Sequence, residues 1–128
     1  MKPELMWLVW AVALTVVQML IAVTGATLQV GLPRLAGNRD GMPPFTGWVG
    51  RAERAHYNML ESLVLFAALV VVAVLSNKTN STTLMGAQLF VWARLAYAII
   101  YMAGIPWLRT LVWVVSMVGL VMIFLQLV

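Results

Sequence analysis

Four long apolar runs, at about 5–30, 55–75, 83–102 and 107–128, leave this 128-residue chain little sequence outside them. Each is near or above the roughly 20 residues that carry an α-helix across a hydrocarbon core. Residues 1–128 therefore read as a single all-α domain, an integral membrane four-helix bundle. No stretch remains for a soluble domain, so any chemistry sits between helices or at their ends. Lys2 before the first run and Gly25-Ala26 after it resemble a signal peptide. The run exceeds the roughly 7–15 residues of a signal core and no A-x-A site closes it, so it reads as a retained span.

The chain is 63% hydrophobic and has no cysteine. That excludes disulfides, cysteine nucleophiles and thiolate metal sites, so a reacting thiol would have to arrive on a ligand. A single histidine, His56, cannot build a metal centre. The formal charge of +4 does not imply nucleic acid, because the basic residues cluster at helix ends, where a membrane explains them.

Arg34, Arg39, Arg51 and Arg54 lie between the first two runs, and Arg109 follows the third on the same side. Lys2 and Lys78 are opposite. By the positive-inside rule both termini face out and the Arg-rich loop is cytoplasmic. Brevity, with no organellar targeting feature, points to a bacterial inner membrane. The loop 31–50 holds Pro33, Gly37, Asn38, Gly41, Pro43, Pro44 and Gly47, turn formers that resist helix. Residues 76–82 are short and polar, making spans two and three antiparallel neighbours. Pro106 falls at the first turn of the last helix, where its missing N–H costs little. The sequon Asn80-Ser81-Thr82 carries no weight.

Arg51, Arg54, Asn58 and Glu61 stand at i, i+3, i+7 and i+10, which at about 100° per residue puts all four on one face of span two. Arg94, inside span three, would cost roughly 2.5–3.5 kcal/mol at a helix centre and needs a partner or a wet cavity. At ~1.5 Å rise per residue, Arg94 and Glu61 both fall roughly 10–15 Å inside the Arg-rich boundary. They are expected to form a buried ion pair. Such a pair can simply pin helix register. Tyr97 and Tyr101, at i+3 and i+7 from Arg94, extend that face toward Arg54 and Asn58 and argue for a site instead. Arg109 and Thr110 open the last helix, whose free N–H groups and dipole favour an anion. His56 points away from the polar line, toward a neighbouring subunit or the headgroups. Gln18 is expected to bond across helices, and Trp7, Trp10, Trp48 and Trp107 to anchor at the interfaces.

These motifs resemble the MAPEG family, the membrane-associated proteins in eicosanoid and glutathione metabolism, in a bacterial-type member. The match consists of Arg51-x-x-Arg54-Ala55-x-x-Asn58-x-x-Glu61, Ala93-Arg94-x-x-Tyr97-x-x-x-Tyr101 and Pro106-x-x-Arg109, in order on successive helices. The resemblance implies a homotrimer binding glutathione at subunit interfaces near the cytoplasmic side. By position, Arg54, Asn58, Glu61, Tyr97 and Tyr101 look like glutathione-binding residues, with Arg51 and His56 beside the site; Arg94 is also expected to bind glutathione. The pairing of Tyr97 with Tyr101 is similar to the leukotriene-synthesising branch. Arg109 looks like the arginine that activates the thiol. Met59 departs from members with an acidic residue there, and Thr110 from members with serine.

The implied function is glutathione transfer to lipophilic electrophiles, with reduction of lipid hydroperoxides as a second activity. Glutathione has two carboxylates for the arginines and an ammonium for Glu61. An adjacent arginine or helix N-terminus lowers a thiol pKa from about 8.5. Membrane lipids and a lipophilic small molecule are the expected partners, with no nucleic acid. The alternative is a non-catalytic lipid-binding adaptor, or an accessory subunit of a membrane complex, on the same fold. A transporter fits poorly, since no inverted repeat is visible.

Overall fold

The computed structural model describes all 128 residues as five helices and no strands. They are α1 (Pro3–Val30), α2 (Leu32–Ala36), α3 (Gly47–Leu75), α4 (Ser81–Ala103) and α5 (Pro106–Leu127). All but α2 are long and apolar enough to cross a membrane. The central pair is α3 and α4. Against it α1 packs on both helices from one side and α5 on both from the other, and α1 does not meet α5.

Local signals account for the helix ends. Asn80 caps α4 in a reciprocal box: its side chain accepts from the Thr83 N–H, and the Thr83 hydroxyl accepts from the Asn80 N–H. At the other end Gly104 takes the left-handed conformation (φ 81°) that closes a helix most cheaply when no Cβ is present. Pro106 then begins α5 as expected. The connector between α1 and α3 is more helical than its glycines and prolines predict. Pro33 lies in the first turn of α2, where it has no bond to lose, and the buried Leu35 seats that turn against the bundle. Helix α3 also starts at Gly47, well before the apolar run. Its 29 residues span ~43 Å, longer than a hydrocarbon core of about 30 Å, so its Arg-rich first turns can extend beyond the lipid.

The core is a seam of small and aromatic side chains. Phe66 of α3 stacks on Phe90 of α4 at 4.2 Å, with Ala11, Met59, Val70, Ala87 and Ile123 closing around them. Helices α4 and α5 share the most extensive interface because Gly86 and Gly119 meet there. A Cβ on either glycine would lie 2.7 Å from the other's carbonyl oxygen. Small residues at such contacts let backbones approach and gain dispersion that lipid cannot supply.

At the end away from the Arg-rich loop, Glu4 is 3% exposed and accepts from the Thr83 hydroxyl at 2.7 Å. Beside it Asn80 donates to the Gln126 side chain (2.8 Å) and Lys78 to the Leu127 carbonyl (3.1 Å). A buried carboxylate is tolerated only when paired or hydrogen-bonded, and these contacts hold the ends of α1, α4 and α5 together. One expectation fails. The Gln18 side-chain oxygen is buried without any partner, so it makes no interhelical bond. Trp7 is more than an anchor: it packs against Trp92 of α4 with ring centroids 6.2 Å apart.

Gly119→Val should force α4 and α5 apart. The expected cost is about 1–3 kcal/mol, read as a lower thermal midpoint in detergent, with Val118→Ala on the exposed face of α5 as a control that leaves the midpoint unchanged.

Candidate functional site

At the Arg-rich end, three helices bring arginines and tyrosines together. Position on α4 is decided first. Its buried face carries Phe90, Arg94, Tyr97 and Ala98, which turns the Arg94 side chain inward, where it is 1% exposed. Its Nη2 donates to Asn58 Oδ1 of α3 at 2.7 Å. Its guanidinium lies over the Tyr97 ring at 4.2 Å, while Nε and Nη1 are buried without a partner.

The contacts continue outward from Tyr97. Tyr101, one turn further along α4, meets it edge-on at 5.5 Å. The Arg109 guanidinium lies 4.5 Å from the Tyr101 ring centre, and Arg54 donates from Nε to the Tyr101 hydroxyl at 3.2 Å. Cation–π contacts of this kind contribute about 0.5–2 kcal/mol, more where water is excluded. Two tyrosines thus gather three arginines from three helices, and none of the three is paired with a carboxylate. Beside this cluster is a cavity of about 200 Å³ lined by Asn58, Tyr97, Arg109, Thr110 and Trp113.

The expected ion pair between Glu61 and Arg94 does not form. The two residues were placed at one depth, but depth does not set direction around the helix. The buried seam of α3 runs through Ala55, Met59, Ser62 and Phe66, which turns Glu61 outward to an exposed position. Asn58, one turn earlier, takes Arg94 instead. Arg51 also has a local structural role: its Nε donates to the Met102 carbonyl at 2.9 Å, covering free carbonyls at the C-terminus of α4.

His56 lies apart from this cluster. It is 9% exposed on the opposite side of α3, its Nδ1 has no partner, and it lines a second cavity of about 300 Å³. That cleft is walled by α1, α2 and Phe45, with Glu53, Arg39 and Tyr57 at its edge. Of the residues singled out from sequence, Asn58, Tyr97, Arg109 and Thr110 share one cavity, and Arg54, Arg94 and Tyr101 join them through contacts outside it. Arg51, His56 and Glu61 lie outside it.

The sequence model of the MAPEG family matches residues 5–128, essentially the whole chain. The chain belongs to the MAPEG family. No curated protein and no solved structure gives a match. This MAPEG protein is therefore a membrane protein of a family concerned with glutathione and eicosanoid metabolism. Its four apolar helices put it in contact with lipid.

Two residues escaped the sequence reading of this MAPEG chain, one at the cavity and one at the opposite end of the bundle. Trp113 walls the cavity one helical turn beyond Arg109, and that i+4 spacing was the available signal. Glu4 was the other, one of only four acidic residues in the chain. For Arg94 the consequence is direct. Asn58→Ala removes the one side-chain acceptor of a buried guanidinium and should cost about 1.5–3 kcal/mol in detergent denaturation. Glu61→Gln, exposed and unpaired, should leave the midpoint of the ligand-free protein unchanged.

Proposed function

We propose that this protein is a membrane-bound glutathione transferase, with glutathione-dependent peroxidase activity, acting on lipophilic electrophiles or lipid hydroperoxides. One observation carries the reading: Arg54, Arg94 and Arg109 are collected around Tyr97 and Tyr101 with no carboxylate to neutralise them. Concentrated positive charge without an internal partner suits an anionic ligand. Glutathione, with two carboxylates and an ionisable thiol, has that chemistry, and the family's metabolism gives it as the co-substrate.

The arrangement also supports an oligomer. Residues assigned to glutathione lie on two opposite sides of α3, with Asn58 on one and His56 on the other. A single ligand can touch both sets only where two copies meet. The exposed Glu61 and Arg54 then become interfacial, and a homotrimer is the assembly the family resemblance implies. By the positive-inside rule the Arg-rich end is cytoplasmic, within reach of a water-soluble thiol in a bacterial inner membrane.

Arg109 sits at the start of α5, where its charge and the helix N-terminus both favour a thiolate. In transfer, the thiolate sulfur forms a bond to the electrophilic carbon. The electron pair of the breaking bond leaves with the departing group, or, in addition to an enal, passes to the carbonyl oxygen while a proton is taken up at the α-carbon. In peroxide reduction, sulfur attacks one peroxide oxygen, the O–O bond breaks and an alkoxide leaves, taking a proton. A second glutathione resolves the resulting sulfenic acid to disulfide and water. The protein contributes proximity and an activated nucleophile.

A second reading, a non-catalytic lipid-binding adaptor, is favoured by a separate groove of about 480 Å³ between α1 and α4. It is lined only by apolar side chains, among them Trp7, Trp10 and Trp92. Ultraviolet difference absorbance separates the two readings. The transferase should show a saturable thiolate band on adding glutathione, and Arg109→Ala should lose it while remaining folded. Glu61→Gln should instead weaken glutathione binding. No band, and no thermal stabilisation by glutathione, would leave the adaptor as the better reading.

A further inference from the structure

We propose that Arg94 is a positioning residue: it fixes the orientation of the Asn58 amide so that N–H donors of Asn58 face the cavity beside Arg109. The inference rests on the glutathione reading and refines it, because it assigns that cavity to an anionic group, a thiolate or a carboxylate.

Arg94 does not reach the cavity itself. It is 1% exposed and absent from the cavity wall, while Asn58 lines that wall. The link between them is the 2.7 Å contact from Arg94 Nη2 to Asn58 Oδ1. A guanidinium has only donors. The oxygen of the amide must therefore face Arg94, since the reverse orientation would set N–H against N–H in a buried space. Contact with the Tyr97 ring at 4.2 Å holds the guanidinium in place.

With its oxygen engaged, the other half of the amide is committed. Asn58 Nδ2 bonds to no group in the chain, yet it is not among the sealed polar atoms. Its two hydrogens are available to the cavity, opposite Arg109 on α5. Thr110, on the same wall, donates its hydroxyl back to the Pro106 carbonyl at 3.3 Å and makes no bond to them. A cation bonded to the amide oxygen also polarises the amide and strengthens its N–H groups as donors, as linked hydrogen bonds do in a low-dielectric interior. Asn58 and Arg109 then form two walls of one anion pocket, and Arg94 acts on the ligand only through Asn58.

Asn58→Asp tests this, because it preserves shape and the bond to Arg94 while replacing the cavity-facing donor with an oxygen. The purified protein is titrated with glutathione, reading the thiolate band, affinity by calorimetry, and thermal midpoint. The expected result is a midpoint at or above wild type, with affinity lower by at least about ten-fold, the loss of one charge-assisted hydrogen bond, and no thiolate band. Arg94→Lys, which can only donate, should keep much of the band. Arg94→Gln, which can present either end of its amide, should lose most of it. A folded Asn58→Asp protein with wild-type affinity and band would overturn the proposal. If that variant does not fold, equal bands in Arg94→Lys and Arg94→Gln would overturn it. A wild-type protein with no band would overturn both this inference and the transferase reading, whereas a wild-type band retained in Asn58→Asp removes this inference alone.

Discussion

A guanidinium enclosed in an apolar bundle organises this protein. Arg94 cannot be left in hydrocarbon without acceptors, and moving it out would break the seam between α3 and α4. The helices therefore had to supply Asn58 and the face of Tyr97 at that depth. Once Tyr97 is held, Tyr101 follows a turn later, and with it the surfaces on which Arg54 and Arg109 rest. The far side of the molecule solves the same problem with the opposite sign. Glu4 is buried against Thr83, which is itself part of the cap of α4. Helix α4 is thus fixed near its start and at mid-length by polar groups that lipid would not accept.

The main features of the fold were legible in the sequence, because lipid imposes a length and an apolar character that are visible residue by residue. The proline beginning α5 was legible for local reasons of its own. What failed were statements about rotation. Glu61 and Asn58 differ by one turn and lie at nearly the same depth, yet only one faces α4. The choice is made by Met59, Ser62 and Phe66 packing into the core, a fact of three helices together. Gly86 and Gly119 carried no local signal, since their meaning arises only where they meet.

The site was legible as a set of residue types and only partly as a place. Asn58, Tyr97 and Arg109 line one cavity, but His56 and Arg51 do other things in the single chain. Arg51 covers the end of α4, and His56 borders a cleft against α1. Short connectors added a further surprise. Pro33 and the glycines around it read as helix breakers, although a proline in a first turn is harmless and Leu35 rewards a turn of helix by burying itself.

The glycine contact between α4 and α5 also has a mechanical meaning. Backbones that touch leave no slack, so these two helices behave as one stiff hairpin, and the separation of Tyr101 from Arg109 is set by that stiffness. Helix α3 packs against both this hairpin and α1. The cavity lies between α3 and this hairpin. A molecule gripping both Asn58 and Arg109 would tie α3 to a unit that does not itself flex.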